Sequence, residues 1–531
     1  MSRLFHALWH DYIDNASNTR DFRSQLRGNR VMLMWTIYVL VLTTISLLVY
    51  SSLTRDSAVT SIPQMQAQMQ SYYRGMMVAL SAAITIIAPV LTASAMADER
   101  IRQSIDLVIT TPIAARNLLI GKVLSAMRFI AVLVFLALPA ASVGVVLGGA
   151  DWSEVFVHSV LILFSGAVLS VIGLVVGLTT PIPRQAVITS FLMGLLYQFG
   201  ISFIAMILGA RSMFGGAGTA SPPESWLISL SPFVSMYRPI TISTLGGVEI
   251  PNVVIAGLAT ILIVGVFVLG TAATLSSYCS KDVLKFRVIS IILSVVMPPL
   301  IAFGLLGTSG SIFGRRMTST GMGAGPSAWK LSAGLFHLLA GIFVLSIPVY
   351  FVVSRFGDRK GRFDGWFSFK KLLLHVPSSA MPFVLAMYLG GFFSMLVTQL
   401  IATRTFTDIG LFLVAGAYWL SLLWLLFSYS RLASRRELWD VRVPKRRVQV
   451  VPLVIFGGIL AVLLGCMFIM AAANPLVRPS DDIFKIHPMY PIFVPDYAFS
   501  LGIGWTAFYA ALGTILHRRN VAEYAVPPKF S

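Results

Sequence analysis

Apolar residues in this chain gather into long runs near 31–50, 75–95, 127–148, 155–178, 185–208, 252–275, 287–307, 331–354, 380–402, 409–429, 449–473 and 497–516. Each run holds about 20 residues, which at 1.5 Å per residue matches the ~30 Å hydrocarbon core of a bilayer. The pattern predicts an all-α, polytopic integral membrane protein of about twelve transmembrane helices in two six-helix halves. Pro139, Gly173, Gly177, Pro298 and Pro348 fall inside runs, where membrane helices tolerate them. The ten-residue alternation of porin strands is not visible.

The polar segments carry their own periodicities. Phe5, Leu8, Trp9, Tyr12 and Ile13 make one stripe of a helix, followed by the basic face Arg20, Arg23, Arg27 and Arg30. Residues 1–30 therefore read as an interfacial cytoplasmic segment. Between the second and third runs, Ile101, Ile105, Val108 and Ile109 recur at helical spacing, with Arg100, Arg102, Gln103 and Asp106 elsewhere on the wheel. Glu99 would start this short helix, where the N-terminal dipole favours a carboxylate by about 0.3–1 kcal/mol. Thr111-Pro112 reads as an N-cap followed by Pro at the first helical position. Residues 97–122 thus predict a helix–turn–helix elbow. The loop 209–251 is predicted to hold a helix through Trp226, Leu227, Leu230 and Phe233 that dips back into the bilayer. Residues 287–531 form a second six-span module with basic loops.

Charge orients this array. Only 11% of residues are charged, yet the net charge is +19. With the N-terminus inside, three quarters of the 40 Lys and Arg lie in cytoplasmic segments. The positive-inside rule then places both termini in the cytoplasm, in the plasma (inner) membrane. That topology and attraction to anionic lipid account for the basic balance, with no nucleic acid implied. Cys279 and Cys466 suggest neither a disulfide nor a metal site.

Catalytic chemistry is not apparent. The runs hold almost no ionisable groups; His158 and His337 read as packed or interfacial, and Gln198 and Gln399 as helix–helix hydrogen-bonding amides. No zinc pattern, serine elbow or carboxylate pair is present. Gly121-Lys122 is followed by Val123 and lacks the upstream glycine of a phosphate loop. No cofactor is expected on this chain, and any ATP would sit on another polypeptide.

The stretch from Ala97 through Asp98, Glu99, Arg100, Ile101, Ile105, Asp106, Thr111 and Pro112 to Gly121 and Lys122 resembles the signature region of ABC-2 type ABC transporter permeases. The run from Arg20 to Arg30 is similar to the basic segment before their first span, and Ser231-Pro232-Phe233 fits their six-span layout. The resemblance covers about residues 16–280. It implies a membrane-spanning, non-enzymatic subunit of an exporter, driven by an ABC-type ATP-binding subunit that docks on the elbow. It also implies paired permease units, supplied by a homodimer or by 287–531 acting as a divergent second half. Glu99 would anchor the elbow on the ATPase, beside Arg100 and Asp106. A charge-poor interior favours a hydrophobic or amphipathic substrate. The alternative is a major-facilitator-type secondary transporter, whose loop motif Gly357-Asp-Arg-Lys-Gly-Arg362 resembles. A third reading is a membrane scaffold for an ATPase complex.

Overall fold

A computed structural model describes residues 29–55, 62–101, 115–146, 149–180, 183–195, 242–245, 248–275, 281–306, 380–403 and 498–525, with a few isolated positions between them. Among these residues the chain is helical, apart from one short hairpin. The helices are α1 (Asn29–Arg55), α2 (Ile62–Ile101), α3 (Ala115–Val146), α4 (Trp152–Thr179), α5 (183–195), α6 (Asn252–Leu275), α7 (Lys281–Leu306), α8 (Ala380–Thr403) and α9 (Ala498–Ala525).

The expected number of spans is corrected here. Each of these nine described helices overlies an expected apolar run, but twelve spans are not supported. Gln66–Glu99, Ala115–Val146, Trp152–Leu178 and Asn252–Ala273 are long and apolar enough to cross a membrane. Elsewhere the apolar stretches are shorter: Trp35–Leu48 in α1, Leu385–Thr398 in α8 and Thr506–Leu516 in α9. Stretches of that length rise only about 16–21 Å, well under the bilayer core. The runs at 331–354 and 449–473 lie outside the described residues, as does nearly all of 409–429. Among the described residues the chain is α-helical with four candidate membrane spans.

Contacts divide the chain into two compact units, Met1–Val268 and Leu269–Ser531. In the first, α4 is the central helix and packs most extensively against α2. Its small residues make this approach possible. A Cβ on Gly173 would collide with the Pro89 carbonyl and Thr92 Oγ1, and one on Gly177 would lie 2.7 Å from the Ala93 carbonyl. Gly166, Ser170, Gly173 and Gly177 line one face, the small-residue spacing by which membrane helices bring their backbones together. Thr92 Oγ1 donates to the Ser170 carbonyl at 2.8 Å across the contact, beside Pro89 inside α2.

Around this pair the other helices close a core of Leu80, Ile84, Ile130, Leu133, Leu161 and Leu169. Tyr38 of α1 donates to the Leu133 carbonyl of α3 at 3.2 Å. Leu33, Ile37, Leu40, Leu47 and Leu48 of α1 are exposed, as lipid-facing residues would be. Ser165 of α4 donates to Gln198 Oε1 at 3.3 Å, so Gln198 is an interhelical amide as expected. The environments of Gln399 and His337 lie outside the described residues.

One element was not expected. Ile242–Leu245 and Val248–Pro251 pair antiparallel, Leu245 opposite Val248, and lead directly into α6. Two residues link the strands, and both are glycines in the sequence, as tight hairpin turns favour. The expected re-entrant helix at 226–233 lies outside the described residues.

In the second unit, α7 packs on α8. Ser394 Oγ donates to the Val295 carbonyl at 2.6 Å, and Gly390 lets Val295 approach. Arg287 is fully buried, donating to the Leu372 carbonyl with its guanidinium 4.8 Å from the Phe383 ring centroid.

Candidate coupling elbow

Of the elbow residues, the structure describes Asp98, Glu99, Arg100 and Ile101 at the end of α2, and Gly121 and Lys122 in the second turn of α3. Ile105, Asp106, Thr111 and Pro112 lie outside the described residues, and so do Arg20 and Arg27. Arg23 is an exposed helical residue, and Arg30 sits in the first turn of α1.

The backbone fixes how the described residues face. Met96 and Ala97 are buried in the bundle, whereas Asp98 and Ile101 point outward. Glu99 turns back toward α3. There Leu119 and Gly121 pack into the core and carry Lys122 inward with them. Lys122 Nζ donates to Glu99 Oε1, an ion pair bridging 23 residues of sequence. Lys122 is only 7% exposed and Glu99 21%.

One expectation changes. Glu99 does not start a separate helix: α2 runs unbroken through it to Ile101, so no N-terminal dipole favours the carboxylate. Its counter-charge is Lys122 instead. The carboxylate is thus engaged within the chain. Separating a fully buried ion pair by removing one member costs about 3–5 kcal/mol. The cost is lower here, since Glu99 keeps some contact with solvent. Chemically the arrangement is a clamp. It ties the end of α2 to the start of α3 at the point where residues 102–114 connect them.

At the opposite end of this unit lies a polar cluster that sequence reasoning did not assemble. Tyr73 of α2 and His158 of α4 are both buried, their rings edge-to-face with centroids 5.3 Å apart. Tyr73 Oη is 3.1 Å from His158 Nδ1, which also lies 2.8 Å from the Glu154 carbonyl. Nearby, the hydroxyls of Ser46 and Tyr72 bond α1 to α2. His158 is thus a packed residue, as its position in an apolar run suggested. Its partner Tyr73 lay just outside the expected second run. Among the described residues no group of His, Cys, Asp and Glu is arranged to hold a metal ion.

No family profile, characterised protein or solved structure matches this chain.

Proposed function

We propose that the chain is the membrane-spanning permease subunit of an ATP-binding cassette exporter. It moves a hydrophobic or amphipathic substrate using ATP hydrolysed by a separate cytoplasmic subunit. One observation carries the reading: Glu99 and Lys122, at the two ends of the permease-like stretch, meet in an ion pair that joins the helices flanking the elbow. A driven loop needs that construction, because force applied to 102–114 moves a membrane helix only if the helix ends are held firmly. If all twelve apolar runs cross, the Glu99 end of the bundle and both termini face the cytoplasm of a plasma membrane. The basic face of Arg20, Arg23, Arg27 and Arg30 then lies against anionic headgroups.

The test is recovery of the tagged chain from its native membrane in mild detergent. An ABC-type ATP-binding subunit should co-purify and supply all vanadate-sensitive ATP hydrolysis. The chain stripped of that subunit should hydrolyse none. ATPase activity from the stripped chain, or recovery with no ATP-binding subunit, would refute the reading. Export abolished by a protonophore at constant cellular ATP would favour the facilitator instead, whose motif at 357–362 lies outside the described residues.

A further inference from the structure

A lysine ammonium turned into the base of an apolar helix is unfavourable unless a counter-charge holds it. Lys122 meets that condition through Glu99, but the pair adds little to the packing of α2 on α3. Those helices already share a core through Leu80, Ile84, Ile130 and Leu133. What the pair does add is location. It lies at the two helix ends that residues 102–114 join in sequence, where it opposes their splaying. The outward side of the same turn offers Asp98 and Ile101, which are exposed and available to a docking surface.

Resting on the permease reading, we propose that Glu99 and Lys122 are a positioning pair, which makes the ends of α2 and α3 move as one body when the ATPase displaces residues 102–114. The charge of Glu99 is therefore read inside this chain, and contact with the ATPase falls to the outward side of the elbow. Charge reversal at either position should be rescued by reversal at the other, which a contact with a separate subunit would not allow.

The experiment uses the tagged full-length complex, comparing Glu99→Lys, Lys122→Glu and the double variant Glu99→Lys/Lys122→Glu. Two quantities are read for each: ATP-binding subunit recovered per chain, and ATP turnover per recovered subunit. The single variants should retain the subunit within about twofold and lose at least tenfold in turnover. The double variant should return to within about threefold of wild type. Normal turnover in the singles, an uncorrected double, or loss of the subunit from Glu99→Lys alone would overturn the proposal.

Should the reversed charges prevent insertion, a milder pair decides. Glu99→Cys/Lys122→Cys, made with Cys279→Ser and Cys466→Ser, is bridged by a short cleavable bis-thiosulfonate. Bridging should restore turnover and reduction should abolish it again; a bridged protein as inactive as the reduced one would refute the positioning role. Failure of the permease reading is seen separately, as wild-type chain recovered with no ATP-binding subunit at all.

Discussion

At the scale of single residues, His158 shows how a backbone acceptor fixes the direction of a hydrogen bond. The Glu154 carbonyl 2.8 Å from Nδ1 can only accept, so Nδ1 carries a proton in this geometry. Tyr73 Oη, 3.1 Å from the same nitrogen, then accepts a share of that donor. Interhelical hydrogen bonds of this kind average about 0.6 kcal/mol in membrane proteins and reach about 1.7. A double-mutant cycle of Tyr73→Phe with His158→Ala, read from detergent-solubilised unfolding, should give a coupling energy in that range. Coupling indistinguishable from zero would mean that the two groups share only a cavity. The signal for this pair was in the sequence only as two isolated polar residues, 85 positions apart. Nothing in the periodicity of either helix says that they meet. The Glu99–Lys122 pair was hidden for the same reason. Its two members stood out as motif residues, but their contact depends on how α2 packs on α3.

At the scale of elements, helices were legible where length and hydrophobicity coincide. The apolar run at 252–275 is α6 residue for residue, and that at 380–402 differs from α8 by one residue. In lipid the backbone must satisfy itself, so a long apolar run has little choice but helix. The extent of α2 was not legible in this way. Its first turns, rich in Gln64, Gln66, Gln68 and Gln70, are polar but good helix formers, so hydropathy stops short while the helix continues. The hairpin carried its own signal, β-branched residues around Gly246-Gly247, inside a loop read only for helices. The α2–α4 contact yields a prediction that isolates close approach from glycine content. A side chain at Gly173 has no room, whereas among the described residues nothing lies within 4 Å of a Cβ built on Gly265. Overpacking of a filled interface costs about 1–3 kcal/mol or more. Gly173→Leu should therefore lower the melting temperature of the purified protein clearly or prevent its accumulation, while Gly265→Leu leaves both near wild type. Equal tolerance of both substitutions would contradict the α2–α4 packing.

At the scale of the whole molecule, the assignment of spans turns on α9. The helix has 28 residues, about 42 Å of rise, yet its apolar stretch Thr506–Leu516 covers only about 16 Å. Its last turns carry His517, Arg518 and Arg519. A stretch that short either lies in the interface or crosses with its basic end reaching to the headgroups, where long cationic side chains can extend. Charge separates the two cases. Basic residues resist translocation, so the proposed topology puts Arg518 and Arg519 on the cytoplasmic face, whereas Asp481 and Asp482 lie in a segment preceding α9 with little positive charge. If α9 crosses, positions 481 and 518 face opposite sides. If it lies flat, they share one. In a background of Cys279→Ser and Cys466→Ser, Asp481→Cys should react with an impermeant thiol reagent in intact cells. Arg518→Cys should react only after the membrane is permeabilised, as the proposed cytoplasmic C-terminus requires. Labelling of both positions from outside would show that α9 does not cross, and would remove the C-terminus from the cytoplasm.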